Sequence, residues 1–531
     1  MPLLALLLAF LLVWPAALAD ADDRPTAPAA ATVYRRPLGH DPATLDPARI
    51  KDIYSRSVSQ QIFDGLVQFD RTLSIVPGLA QFWKASRDGL NWTFTLRKGA
   101  KFHHGRDVTA DDVIFSLTRL LDPRTRSGAA DLVLGIKGAR DFREGRASHL
   151  AGLVAVDPHT VRISLSKAFT PFVSALAVGH AKIVPRDVVE REGEGFGSRP
   201  VGSGPFRFVR WDRGREIVLA ANPAYFDGPP RLSEIRFKIF PGNDADEMYR
   251  EFARGRLEDA PAPAREYEQA LASKDHLHVR RPMISIRWYG LNARHKPLDD
   301  RRIRQALIHA VDRVALLRDV YANRHVLARG ILPPGTQGFN PALRGYVYDP
   351  DKARALLAEA GFPGGRGLPR IVIWSSVKRH EIVRQHEEVL KYWAAIGVDA
   401  DVEYLTDWPV FARGLDQGKF PVFLHGWYAD VPDPDNFLSK LFQSRSPQNF
   451  FGYANATVDD LLDQARGERD LSRRIALYRK AEQQVIADVP VIPILHHTYE
   501  RLFQPYVRSV EVNGLGDPYI PFRKIWLDRT R

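Results

Sequence analysis

A chain of 531 residues with 45% hydrophobic and 26% charged side chains is long enough for more than one lobe, and its ordinary composition excludes extended disorder. The absence of cysteine excludes disulfides, thiolate metal sites and a cysteine nucleophile. The formal net charge of +12 is spread along the chain and interleaved with Asp and Glu, without a zinc-finger, RRM-like or basic-tail pattern, so nucleic acid is not expected as a partner.

In chain order, the first element is an apolar run, Leu3 to Val13, followed by Pro15 and Ala17-Leu18-Ala19. It reads as a signal peptide over residues 1–19, cleaved after Ala19; an uncleaved anchor is the alternative, but the run is short for a membrane span. The α-amine is its only positive charge, and no cysteine follows to carry a lipid. Residues 20–31, rich in Ala and Pro, read as a flexible leader.

Strands and helices alternate from Thr32 onward. The stretch Asn91 to Phe102 alternates Trp92, Phe94 and Leu96 before Lys98-Gly99, a hairpin signal. Thr109 and Asp112 form a capping box for a helix that Pro123 stops. Thr160 to Ser166 alternates as a strand, and Gly204 to Asn222 reads as two strands around Asp212-Arg213-Gly214. From Asp299 to Tyr321 the residues Ile303, Ala306, Leu307, Ala310, Val311, Val314 and Leu317 fall on one helical face. Asp349 caps a helix opened by Pro350 and closed at Gly361. Ile371 to Ser376 reads as a buried strand, and His380 to Gly397 as a helix with Ile382, Val383, His386, Val389, Leu390 and Trp393 on one side. This mixture indicates an α/β or α+β fold in at least two lobes.

Catalytic signatures fail on spacing. The sequence Val201-Gly202-Ser203-Gly204 is not the G-x-S-x-G of a nucleophile elbow and fits a tight turn before a strand. His380 and His386 lie six residues apart where one helical face needs four, so they read as solvated helix histidines. Gly364 to Gly367 lacks the Lys and Ser/Thr of a phosphate loop. The neighbours His103-His104 and His496-His497 would each give one metal ligand per strand face. No catalytic residue, metal site or cofactor is expected, and a binding protein is the more natural reading than an enzyme.

The chain resembles the extracellular solute-binding proteins of ABC importers, in the peptide/nickel class called family 5. The resemblance rests on ordered segments: TLDP (44–47), IFDGLVQFD, VPGLAQFW, DGLNWTFTLRKGAKFHHG, VTADDVIFSL, PVGSGPF, RRIRQALIHAVDR, YDPDKARALLAEAGF, GWYADVPDPDNF, YANATVDDLLDQA and ADVPVIPILHH. It implies an α/β bilobal periplasmic-binding-protein fold of the Venus-flytrap type, with an extra subdomain inserted in lobe I. Lobe I would span residues 32–283 with the insertion at about 50–200, lobe II 284–490, and residues 491–531 would return to lobe I. It further implies a monomeric, soluble, periplasmic protein that is not a lipoprotein. Such a protein binds a peptide-like small ligand and hands it to an inner-membrane ABC permease whose own subunits hydrolyse ATP.

In peptide-binding members an Asp of a W-x-A-D-like segment pairs with the ligand's α-amino group. Trp427-Tyr428-Ala429-Asp430 matches it. The resemblance therefore implies ligand contacts at Asp430, with Trp427 as an apolar and cation–π wall and Tyr428 and Ala429 beside it. Capping of a turn is the other reading of Asp430, and the one preferred for Asp433 and Asp435. Leu424 stands where oligopeptide binders can carry a basic residue, leaving His425 as a candidate for the ligand carboxylate, and His104 stands where the family usually has Asp. Related members carry nickel chelates, sugars, opines or haem. A non-peptide ligand and an exported enzyme or chaperone-like factor therefore remain open alternatives.

Overall fold

Alternating and continuous apolar strands sort into different sheets. The computed structural model describes residues 32–263 and 265–529; the expected signal peptide and leader lie outside the described residues. One four-stranded sheet is ordered Val33–Leu38, Glu234–Ile239, Glu216–Ala221, Phe206–Asp212, with the first pair parallel. Ile235, Phe237 and Ile239 face its core and the residues between them face outward, as a half-buried strand requires. The expected hairpin is present, turning at Gly214 with φ +70°.

A second four-stranded sheet, Ala80–Ala85, Asn91–Leu96, Thr160–Ser164, Leu153–Asp157, is antiparallel throughout. Here the hairpin expected around Lys98-Gly99 does not form. Gly99 does turn, at φ +78°, but both edges of Asn91–Leu96 are already taken by other strands. The helix Ala110–Leu121 covers this sheet; its capping box is closed by the Thr109 N–H donating to Asp112 Oδ2 at 3.0 Å. The glycines of Val201–Gly204 have a packing reason. A Cβ on Gly202 or Gly204 would clash with the backbone carbonyl group of Ile62, while Ser203 donates to buried Asp64 at 3.2 Å.

The six-stranded sheet runs Val326–Leu327, Val491–His496, Ser285–Leu291, Val422–Tyr428, Ile371–Ser375, Ala400–Tyr404. Helices cover both faces, so its central strands are apolar almost continuously. On one face pack Arg301–His309, Arg313–Tyr321, Pro350–Glu359 and His380–Ala394; on the other, Trp408–Asp416, Ala456–Gly467 and Leu471–Asp488. The single helical face expected from Ile303 to Leu317 is two helices. Asp312 accepts from the N–H groups of Val314 and Ala315 and starts a new helix, which turns Val314 outward to 62% exposure. His386 is not solvated: it is buried in this core, 2.9 Å from Tyr289 Oη, while His380 is exposed.

A three-stranded sheet, Asp259–Pro261, Thr498–Phe503, Leu277–Pro282, sends the chain into the six-stranded sheet and receives it back. The outward crossing lies at Met283-Ile284. The strand Val491–His496 still belongs wholly to the six-stranded sheet, so the return crossing falls at His497 and not at Val491. The two crossings touch: Met283 N–H donates to His497 O at 2.8 Å. Behind them a buried charge network gathers both ends of the chain. Asp259 binds Arg36 at 2.9 Å and Arg501 at 3.0 Å, and Asp517 binds Arg36, Arg501 and, at 2.6 Å, Tyr499. Multiple partners offset the desolvation that would make isolated buried charges unfavourable.

Candidate functional site

The strand Val422–Tyr428 is paired on both edges, by Ser285–Leu291 and by Ile371–Ser375. Its pleat sends His425 and Trp427 to one face and Tyr428 to the other. After Tyr428 the chain leaves the sheet, with Ala429 N–H donating to Ile284 O at 2.9 Å. The side-chain oxygen of Asn436 then accepts from Trp427 Nε1 at 3.0 Å and from Asp430 N–H at 3.1 Å, fixing the loop.

The three acids of this loop separate. Asp433 is buried against Arg474, whose Nη2 lies at 2.7 Å, and accepts the N–H of Asp435 at 2.9 Å. Asp435 is buried against Arg466, at 2.6 Å, and accepts from Tyr478 Oη at 3.2 Å. Both thus tie the turn to the helices Ala456–Gly467 and Leu471–Asp488. Asp430 alone leaves its carboxylate largely accessible, at 44% side-chain exposure. It is occupied by Lys440 Nζ at 3.0 Å, and that ammonium sits 5.0 Å from the Trp427 ring centroid.

Residues from the earlier part of the chain face this pair. A cavity of about 70 Å³ is lined by Arg56, Asp131 and His180 together with Asp430 and Lys440. Asp430 acts electrostatically on His180 and Tyr519, which confirms their proximity. Lys440 and Asp131 also line a neighbouring cavity of about 710 Å³, whose wall includes Arg140, Lys167 and Arg445. Lys440, Arg56 and His180 were not singled out from the sequence. Lys440 had a signal, a lone cation in the apolar run Phe437-Leu438-Ser439-Lys440-Leu441-Phe442.

The remaining expected residues take other positions. His425 is enclosed by Trp408, Trp288 and Phe450, and burial pushes its pKa down to about 4. At neutral pH it carries no positive charge, so it does not provide the cation expected for a ligand carboxylate. Tyr428, 51% exposed, lies on the opposite face of the strand and stacks on His497 with ring centroids 5.0 Å apart. Arg287 and Arg379 both act on Tyr428, and Arg379 acts on Tyr54. Two guanidinium groups therefore stand near Tyr428, on the face of the strand opposite His425. His103 contacts Gly204 O at 3.0 Å and His104 lies 3.2 Å from Asp187. Among the described residues no three His, Asp or Glu side chains gather as a metal site, and no helix is long and apolar enough to cross a membrane.

Known proteins share this architecture. The family described as bacterial extracellular solute-binding proteins, family 5, matches residues 74–449. The dipeptide-binding protein of Escherichia coli is 30% identical over 480 residues, covering 86% of this chain and 88% of that protein. Heme-binding protein A of Haemophilus influenzae is 32% identical over 504 residues, covering 91% and 89%. The unliganded open form of MppA, a periplasmic murein tripeptide-binding protein, superposes with a TM-score of 0.81 at 27% identity, covering 94% of this chain and 98% of that one. With two sheet-bearing halves joined at Met283-Ile284 and His497, the chain has the bilobal periplasmic-binding-protein fold, and it belongs to the bacterial extracellular solute-binding proteins, family 5.

Proposed function

We propose that this protein is the periplasmic binding component of an ABC importer, capturing short peptides with a free α-amine and delivering them to an inner-membrane permease. One observation carries the reading: the Asp430 carboxylate already holds an alkylammonium, that of Lys440, beside an indole face. A ligand amine has the same chemistry. Exchange of Lys440 for the ligand keeps the Asp430 carboxylate paired, and the displaced ammonium can turn into the neighbouring cavity that it also lines. The ligand carboxylate falls to the guanidinium-bearing side of the cleft, where Arg379 acts on both Tyr428 and Tyr54.

The reading assigns residues 32–283 and 498–531 to one lobe, with the subdomain at about 50–200 inserted in it, and residues 284–496 to the other. Closure about Met283-Ile284 and His497 brings Arg56 and His180 onto a ligand held at Asp430. A ligand that touches both lobes favours the closed state by its differential affinity, and the closed form is what the permease reads. Binding and release complete the cycle for this subunit, with no covalent step of its own.

Mass spectrometry of co-purifying molecules, followed by thermal shift with di- to pentapeptides and with heme, tests the reading. Peptides are expected to raise the melting temperature in a concentration-dependent way. A shift with heme and none with any peptide would falsify the peptide assignment. Asp430→Asn is expected to weaken free-amine peptides by at least tenfold and to change N-acetylated peptides little; equal losses remove the amine role.

A further inference from the structure

Arg287 is an oddity of the central strand Ser285–Leu291. Its neighbours in register are Gly426 and Leu495, and it lies between two strands at the centre of the six-stranded sheet. It is partly buried, yet it forms no ion pair among the described residues; its one hydrogen bond runs from Nη1 to Tyr321 Oη at 3.2 Å. A guanidinium offers five N–H donors in a rigid fork, and apart from the bond to Tyr321 the fork of Arg287 has no protein partner among the described residues.

The groups that feel its charge are phenols and imidazoles. Arg287 acts on Tyr321, Tyr289 and Tyr428 and on His325, His386 and His497, which places it at the centre of this group. Burial and the Arg287 charge hold His325 and His386 down at about 4, so both are neutral. Glu381, exposed on the helix His380–Ala394, acts on Tyr321 but makes no ion pair with Arg287. The Tyr321 hydroxyl is committed to Gln385 Oε1 at 2.6 Å, and Gln385 in turn to Tyr289 at 2.7 Å, so that network does not supply an anion.

A second donor stands beside the first. His497 has its Nδ1 3.1 Å from Ser285 Oγ, and Ser285 Oγ also accepts the His497 backbone N–H at 3.1 Å. A hydroxyl that already accepts one N–H is free to donate its own proton to Nδ1, and in that tautomer the ring proton sits on Nε2. That Nε2 is buried and has no partner. The same imidazole stacks on Tyr428, which is itself exposed.

We propose that Arg287, His497 and Tyr428 form a subsite for a second carboxylate on the ligand, one carried in addition to its chain terminus. One guanidinium flanked by a neutral imidazole and a phenol matches a single negative charge in planar, bidentate form. A dianionic phosphate would remain half compensated. The proposal rests on the peptide reading above. It selects peptides with an acidic side chain, and it makes Arg287 a specificity-determining residue on the sheet face opposite Trp427.

Isothermal titration of Ala-Glu against Ala-Gln, and of Ala-Ala-Glu against Ala-Ala-Gln, tests it. The wild-type protein is expected to bind the acidic member of at least one pair tenfold or more tightly, with a preference that shrinks as salt rises. Arg287→Gln is expected to bring the ratio close to one, and Arg287→Lys to retain part of it. Equal affinities within both pairs overturn the subsite and leave the peptide reading standing; no binding by any of the four overturns both. A preference that survives in Arg287→Gln, whatever happens to its melting temperature, assigns Arg287 to structure alone and overturns the proposal.

Discussion

At the level of single residues, the proposed amine site turns on Lys440, which pairs with Asp430. If a ligand amine pairs with Asp430 as proposed, the Lys440 ammonium held 3.0 Å from that carboxylate is an internal competitor. The pair is partly exposed, and pairs of this kind contribute only about 0–1 kcal/mol to folding. Lys440→Met is therefore expected to leave the melting temperature nearly unchanged while tightening free-amine peptides about three- to tenfold, measured by calorimetry. Weaker binding would show that Lys440 contacts the ligand and does not compete with it. The two other acids of the loop have no such freedom, because Arg474 and Arg466 hold them inside the lobe.

At the scale of elements, the loop of Val201–Gly204 shows why a motif that looks catalytic is mechanical. Gly202 accepts the His103 N–H at its carbonyl at 2.7 Å, and a Cβ in its place would meet the Ile62 carbonyl oxygen at 2.0 Å. The clashing atoms are backbone, so they cannot rotate away as a side chain would. Gly202→Ala is expected to destabilise the protein by about 2–3 kcal/mol in denaturant melts, in line with overpacking of a closed site. A loss under about 0.5 kcal/mol would show that the loop can shift. Elements also explain where periodicity misled. Ile303 to Leu317 keeps a helical apolar pattern in sequence across a real break: Asp312 starts a second helix that buries Leu316 and Leu317 and turns Val314 outward.

At the scale of the whole molecule, buried histidines set the response to acid. His103, His180, His325, His386, His425 and His496 are all held at about 4 by burial. In the unfolded chain each binds its proton near about 6.5, so the unfolded state takes up protons first as pH falls. Their contribution to stability is complete above about pH 6.5 and is lost as pH falls from there through about 4. Glu482, pushed up to about 7 by burial, works in the opposite sense and loses stability as pH rises through that value, but it is one group against the six histidines. The melting temperature is expected to be nearly flat from about pH 7 to 8 and to fall steeply below about pH 6, by several kcal/mol in stability. A flat profile down to about pH 4.5 would contradict the neutral, enclosed state of these rings.

The family, the alternation of strand and helix, the caps at Thr109 and Asp349 and the separate standing of Asp430 were legible in the chain alone, because these depend on local spacing and on ordered motifs. The sequence also separated Asp430 from the proline-flanked acids after it. Only the tertiary structure decided what each polar group faces. Lys440 reaches Asp430 from the following helix; Arg287 meets His497 across more than two hundred residues of chain; His425 and His386 lose their charge because rings from distant segments enclose them. Periodicity records which residues leave water, but a partner, a counter-ion or a depressed pKa is a property of three-dimensional proximity, which no local pattern encodes.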